Sequence, residues 1–135
     1  MTNANFVHLH VHSNFSFKDA TPHPQDLIKA AAYYEMPAVA LTDHSTLAGA
    51  IRFYRAAQGS GVRPIIGTEI ELASGHHLTL LAENLAGYSN LCCLLSAIRL
   101  AQPGVTRPVT SWETLAPLAE NLICLSGCAH SRLSQ

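Results

Sequence analysis

The chain has 135 residues, 48% of them hydrophobic and 13% charged. That is room for one domain of about 100–200 residues and too little for an eight-unit α/β barrel of roughly 250. The low charge excludes a disordered acidic or basic chain, and no apolar run approaches the ~20 residues that span a bilayer, so a soluble, cytoplasmic protein with no membrane partner is expected. Eight Lys+Arg against nine Asp+Glu leave a formal charge of −1, so the basic surface that dominates ordinary DNA affinity is missing and any nucleic acid must be held by something else.

Cys92, Cys93, Cys124 and Cys128 form no CxxC pair, and no secretory signal opens the chain. Reduced thiols are expected rather than a disulfide framework or a structural zinc site. Eight histidines are the unusual count, since neutral imidazole is the commonest metal ligand.

Phe6 to Ser13 reads as a strand, followed by a break from Asn14 to Pro24 that contains Asp19, Pro22 and Pro24. Leu27, Ile28, Ala31 and Ala32 give Gln25 to Met36 a helical period, which Pro37 closes. Ala38 to Thr42 is a short buried-type strand ending in Asp43-His44; a helix then carries Leu47, Ala50, Ile51 and Tyr54 as its inward stripe and stops near Gly59. Pro64 to Leu72 is a strand, and Ser74-Gly75 turns it into a hairpin with His77 to Ala82. Tyr88 to Leu100 is helical, with Leu91, Leu94, Leu95 and Ile98 on one face. Gln102 to Ser111 is loop, Trp112 to Glu120 a helix interrupted by Pro117, and Leu122 to Ser126 a buried strand. The alternation argues for a mostly parallel α/β sheet or part of a barrel.

His8, His10 and His12 alternate along the first strand, so all three rings are expected on one face, spaced about 6.5 Å apart. Three buried imidazoles without partners are costly, whereas a divalent cation would satisfy them; the plain alternative is a set of core or surface histidines. His44 ends the next strand, and in α/β folds ligands gather at the carboxyl ends of strands. Asp43 or Ser45 has a simpler reading as the cap of a helix starting near Thr46. Glu69 arrives late in its strand at the same end of the sheet, while Glu71 reads as a solvent-facing edge residue. With Asp19 from the loop, these groups make a mixed N/O set suited to Zn²⁺, Mn²⁺ or Fe. Such a set can activate water and neutralise a phosphate's developing charge, which makes phosphoester hydrolysis the natural chemistry. Tyr33, Tyr34, Phe53, Tyr54 and Leu91, at helical spacing, read as core or interface; His23 reads as an exposed loop residue, and His130 as either near the site or in a tail.

Phe-Val-His-Leu-His-Val-His-Ser at 6–13, Leu-Thr-Asp-His at 41–44 and Pro-Ile-Ile-Gly-Thr-Glu at 64–69 resemble the PHP (polymerase and histidinol phosphatase) family. Residues 80–92 and 122–128 are similar to its branch at the N-terminus of bacterial DNA polymerase III α subunits. The resemblance implies an α/β fold, the N-terminal part of a distorted seven-stranded βα barrel over 1–135, with up to three divalent metals at the carboxyl ends of its strands. It implies His10, His12, Asp19, His44 and Glu69 as ligands, Asp43 as a catalytic-site group that orients a ligand, and His8, outside the family's motif, as an inner packing residue; His77, on the second strand of the hairpin, is an open candidate by its position alone. Ala20 stands where the family has glycine, which alters the loop carrying Asp19.

The family's late Asp-x-His motif would fall beyond Gln135. An uncovered apolar face and open sheet edges are therefore expected, with marginal stability, oligomerisation or completion by a partner chain. The implied function is a metal-dependent phosphoesterase or 3′–5′ exonuclease acting on DNA phosphodiesters or small phosphoesters, partnered by the rest of a polymerase chain or other replisome subunits. The alternatives are a non-catalytic module supporting a polymerase and a histidinol-phosphate-type phosphatase.

Overall fold

In the computed structural model, which describes residues 6–125, the apolar run Ala38–Leu41 is β1, all four of its residues buried. It lies parallel to β2 (Arg63–Leu72), pairing Ala38 with Arg63 and Leu41 with Ile66. The hairpin forms as expected: β2 turns into antiparallel β3 (His77–Ala82), and a short β4 (Val109–Thr110) pairs parallel with the end of β2. β5 (Leu122–Leu125) closes the order antiparallel to β3. The sheet is therefore mixed rather than mostly parallel, because the second half of β2 spends its ladder on a hairpin partner.

Helices α1 (Pro24–Tyr33) and α2 (Ala50–Ala57) pack Ile28, Ala31, Phe53 and Ala57 on Val39 and Leu41 of β1. Helix α3 (Leu85–Ala101) lays Leu91, Leu94, Leu95 and Ile98 on Ile70, Leu72, Leu78 and Leu80, the face expected from its spacing. Side chains alternate across a strand. With Ile70 and Leu72 committed to this core, Glu69, Glu71 and their cross-strand partners Thr79 and His77 share the other face.

Several expectations need correction. Phe6 to Ser13 is not a regular strand. Ala40 N–H donates to the His8 carbonyl at 2.8 Å and Thr42 N–H to the Val11 carbonyl at 2.8 Å. Three residues thus oppose two, and the extra residue breaks the two-residue alternation. His8 leaves the shared face for this reason: it is exposed, its ring 4.7 Å from that of Phe6, and it is no inner packing residue. The Thr42 hydroxyl supplies part of the missing ladder, accepting from Val11 N–H at 2.9 Å. The stripe of α2 is rotated: Phe53 is fully buried, while Ile51 and Tyr54 are 57% and 53% exposed. Nor do Asp43 and Ser45 cap α2, which starts at Ala50 after Gly49 without a side-chain cap. Tyr33 and Tyr34 are exposed rather than core. β5 is only partly covered, with Ile123 46% exposed. Glu71 is half-buried, since β2 has partners on both sides. Trp112–Leu115 forms α4, after which Pro117 leaves only a 3₁₀ turn.

Residues of β2, β3, β5 and α2, among them Ile51, Tyr54, Ile66, Leu81 and Ile123, line an open apolar groove of about 770 Å³. Among the described residues, no helix is long and apolar enough to cross a membrane.

Gly67 marks the point on β2 where neighbouring chains crowd closest. A Cβ there would run into the Leu80 carbonyl and the Leu81 and Thr42 side chains, so Gly67→Ala is expected to cost ~1–3 kcal/mol by overpacking. The face of α2 supplies the comparison: Phe53→Ala is expected to lose ~3–5 kcal/mol, and Ile51→Ala to stay within about 0.5 kcal/mol. Urea unfolding followed by circular dichroism measures all three, and an Ile51→Ala loss as large as that of Phe53→Ala would contradict the rotated stripe.

Candidate metal centre

Beyond Leu41 the chain continues alongside β2 without regular strand geometry. Glu69 N–H donates to the Asp43 carbonyl at 3.1 Å, and Ser45 N–H donates to the Glu69 carbonyl at 2.8 Å. His44 and Glu69 are thereby bridged side by side. Ser45 then takes a left-handed backbone, φ +49°, which turns the chain away from the sheet end. The loop after His12 reaches the same place from the other side.

The Glu69 side chain is 4% exposed and faces four imidazoles. Oε2 touches His10 Nε2 and lies 3.6 Å from His12 Nε2. Oε1 lies 3.1 Å from His44 Nδ1 and 2.8 Å from His77 Nδ1. Asp19 completes the ring, with Oδ2 at 2.5 Å from His12 Nδ1 and 3.3 Å from His44 Nε2. The rings of His12 and His44 are 4.3 Å apart between centroids, and His10 Nε2 faces His12 Nε2 at 3.2 Å.

His10, His12, Asp19, His44 and Glu69 therefore all converge, as expected from the sequence, and His77 joins them through Glu69. The β2–β3 register explains how: Glu71 pairs with His77, which puts His77 diagonally across from Glu69 on the same face. Two sets, His10/His12/Glu69 and His12/Asp19/His44, each present ligand atoms within 4.8 Å of one another. The donor chemistry fits a divalent cation. Each imidazole nitrogen facing a carboxylate needs a proton to make an attractive contact, and of two facing imidazole nitrogens one must donate and the other accept; one cation among the same lone pairs replaces several such protons. These histidines and carboxylates would hold the ion. His23 lies in the preceding loop and is exposed; His130, Cys128 and the end of the expected strand at Ser126 lie outside the described residues. Cys92, Cys93 and Cys124 are free.

Asp43 is 1% exposed and belongs to a different network. Its Oδ1 accepts from Ser13 N–H at 2.6 Å and from the Ser16 hydroxyl at 2.7 Å, and its Oδ2 accepts from the Ser13 hydroxyl at 2.7 Å. The Ser16 hydroxyl accepts in turn from His44 N–H at 3.1 Å. This buried carboxylate ties the His12–Asp19 loop to the end of β1. Ser13 and Ser16 were not singled out from sequence; the only available signal was the serine spacing after His12.

Burial pushes the Glu69 carboxyl up, but hydrogen bonds from His10, His12 and His44 and the attraction of His44 outweigh it and hold the group well below the usual carboxylate range. Contact with Glu69 raises His12 against the lowering effect of burial, and Asp19 adds to the rise. Asp19 is lowered, chiefly by its hydrogen bond with His12.

Comparison with known proteins adds an independent line. Residues 8–135 match the PHP domain. The chain is 45% identical to an error-prone DNA polymerase of Symbiobacterium thermophilum and 39% identical to the DNA polymerase III subunit alpha of Escherichia coli K12, with 95% and 94% of the chain covered. It spans only 13% and 12% of those two proteins. Among solved structures it resembles an amidohydrolase of Chromobacterium violaceum (30% identity, TM-score 0.59, 73% of this chain and 34% of that one). It also resembles a Bifidobacterium adolescentis protein assigned as a metal-dependent phosphoesterase (25% identity, TM-score 0.54, 71% and 33%).

The shifted groups set a pH window for the metal-free chain. Asp19 and Glu69 are depressed in the folded state; their stabilisation is present above the ordinary values of 3.8 and 4.5 and is lost as pH falls through the folded ones. His12 is raised, so its stabilisation is present below 6.5 and is lost as pH rises through its folded value. Thermal melting in EDTA is expected to give a higher midpoint at about pH 5.5 than at about pH 8.5. Glu69→Gln should flatten the difference by removing the largest cause of the His12 shift. A wild-type midpoint indifferent to pH over this interval would rule out the network as drawn.

Proposed function

The chain belongs to the PHP domain family, and on that premise we propose that it is the N-terminal PHP portion of a bacterial DNA polymerase III α-type or error-prone polymerase chain, acting as a metal-dependent phosphoesterase on nucleic-acid ends. The observation that carries the reading is Glu69, a buried carboxylate surrounded by His10, His12, His44 and His77. The relatives named above support the polymerase setting, and the assigned phosphoesterase among the structural neighbours supports the reaction class.

Divalent ions of the Zn²⁺, Mn²⁺ or Fe type, held by His10, His12, Asp19, His44 and Glu69, would supply water activation and charge neutralisation for an attacked phosphorus. The chain's own residues have separable tasks. His10, His12 and Glu69 present one set of donors, and His12, Asp19 and His44 the other, so His12 belongs to both. His77 contacts Glu69 Oε1 and either fixes that oxygen or takes a donor position itself. Asp43 acts as a positioning residue: through Ser16 it holds the His44 backbone, and through Ser13 the residue after His12.

A second reading, a non-catalytic module stabilising a polymerase, draws on the same geometry, since the cluster joins the 6–19 segment, the end of β1, β2 and β3 into one unit. Hydrolysis separates the two. With Mn²⁺ or Zn²⁺, the chain is expected to hydrolyse a single-stranded oligonucleotide, and His10→Ala and His44→Ala to lose at least about tenfold in rate along with bound metal. Asp43→Asn is expected to weaken metal binding by about 10–100-fold. Metal content by plasma mass spectrometry and product release are the measurements. Activity that survives both histidine substitutions defeats the assignment, metal retention without turnover favours the structural module, and preference for phosphomonoesters favours a small-molecule phosphatase.

A further inference from the structure

Between the two networks lies a short turn whose two central residues neither uses. Asp19 N–H donates to the Ser16 carbonyl at 3.0 Å, which makes Phe17 and Lys18 the two central residues of the turn. Both ends are pinned. The Ser16 hydroxyl is bound to Asp43 at 2.7 Å, and Asp19 is held by His12 at 2.5 Å and His44 at 3.3 Å. The tip is thus fixed with respect to the cluster, and the Lys18 Cα stands one peptide, ~3.8 Å, from that of Asp19.

What the turn presents is unusual for a structural loop. Phe17 is 72% exposed, and Lys18 Nζ lies 5.7 Å from the centre of its ring. Lys18 adopts a left-handed backbone, φ +65°, sparsely populated for a residue with a long side chain and concentrated at ligand-contacting sites. A scattered exposed apolar residue needs no explanation. An aromatic face and a cation on a turn clamped beside a phosphoester-directed cluster are the two components by which proteins hold single-stranded nucleic acid: a ring on which a base stacks and a positive group for its phosphate.

We propose that Phe17 and Lys18 form a grip for a single-stranded nucleic-acid end, Phe17 stacking a base and Lys18 pairing with a phosphate, while an adjoining phosphoester lies at the His10–Glu69 cluster. The inference rests on the phosphoesterase reading and adds the residues that would seat its single-stranded substrate. It also accounts for a chain of net charge −1 acting on nucleic acid. One cation placed beside the site steers a phosphate where a basic surface is absent, and stacking contributes without regard to base identity.

The test measures binding apart from turnover. A fluorescein-labelled oligothymidylate with phosphorothioate linkages is titrated with the 135-residue chain in Mn²⁺ and followed by anisotropy. Phe17→Ala is expected to weaken binding about tenfold, and Phe17→Trp to retain wild-type affinity. Lys18→Asn, which tolerates the left-handed backbone, is expected to lower the salt slope by about 0.7, the value for one phosphate of a single strand. Lys18→Arg should keep it. Unchanged melting temperature and Mn²⁺ content in each variant show that fold and cluster are intact. Wild-type affinity in Phe17→Ala and Lys18→Asn overturns the grip, as does failure of the unmodified chain to bind the probe, or loss of binding in Phe17→Trp equal to that in Phe17→Ala. Grip-dependent binding by a chain that cleaves no phosphoester leaves the grip standing and removes the phosphoesterase reading. Cleavage with binding indifferent to both positions removes the grip alone.

Discussion

A carboxylate almost sealed from solvent must be compensated, and Glu69 is compensated by imidazoles drawn from three separate parts of the chain. His10 and His12 come from the segment before β1, His44 from just past its end, and His77 from the first position of β3. Their meeting place is set by the register of β2 with its neighbours: the bridge between His44 and Glu69 on one side and the pair Glu71–His77 on the other. A slip of one residue in either ladder would turn Glu69 into the α3 core and Ile70 toward the cluster. The core leucines and the site are therefore two consequences of one register.

Much of this was legible because two periodicities are clear. Leu91, Leu94, Leu95 and Ile98 declare the buried face of α3, and the Ser74-Gly75 turn declares the hairpin. The convergence of His10, His12, His44 and Glu69 followed from strand order and from the tendency of α/β sites to form at strand ends. What escaped notice depends on details that a one-dimensional pattern does not carry. The extra residue opposite Ala40–Thr42 breaks the alternation that would have kept His8 in line. In α2, Ile51 and Tyr54 look like core because they are apolar, yet the helix starts later than expected and turns Phe53 and Ala57 inward instead. His77 could be placed only once the hairpin register was known.

The start of the chain illustrates how a side chain replaces regular structure. Residues 6–12 lack a continuous ladder, and the Thr42 hydroxyl, accepting from Val11 N–H and donating to its carbonyl, fills the gap. The link fastens the segment to β1 next to His10 and His12, so the geometry of these two imidazoles depends on a buried threonine as well as on the backbone. A valine of the same shape would keep the packing and lose both bonds, leaving the Val11 N–H unpaired while its carbonyl keeps the bond from Thr42 N–H.

Among the described residues two carboxylates are buried, Asp43 and Glu69, on neighbouring segments joined where Glu69 N–H donates to the Asp43 carbonyl, and the character of their partners sets them apart. Asp43 is satisfied by an amide and two hydroxyls, donors that carry no charge and do not titrate in the physiological range. Its environment is complete, so nothing is gained by admitting a cation there. Glu69 is faced by imidazoles, whose nitrogens either carry a proton or offer a lone pair. A divalent ion of the proposed kind would compete with protons for these nitrogens, whereas around Asp43 there is nothing to exchange. Ser16 joins the two networks, since its hydroxyl donates to Asp43 and accepts from the backbone of His44. Fixed donors at one carboxylate thus hold in place an imidazole that faces the other.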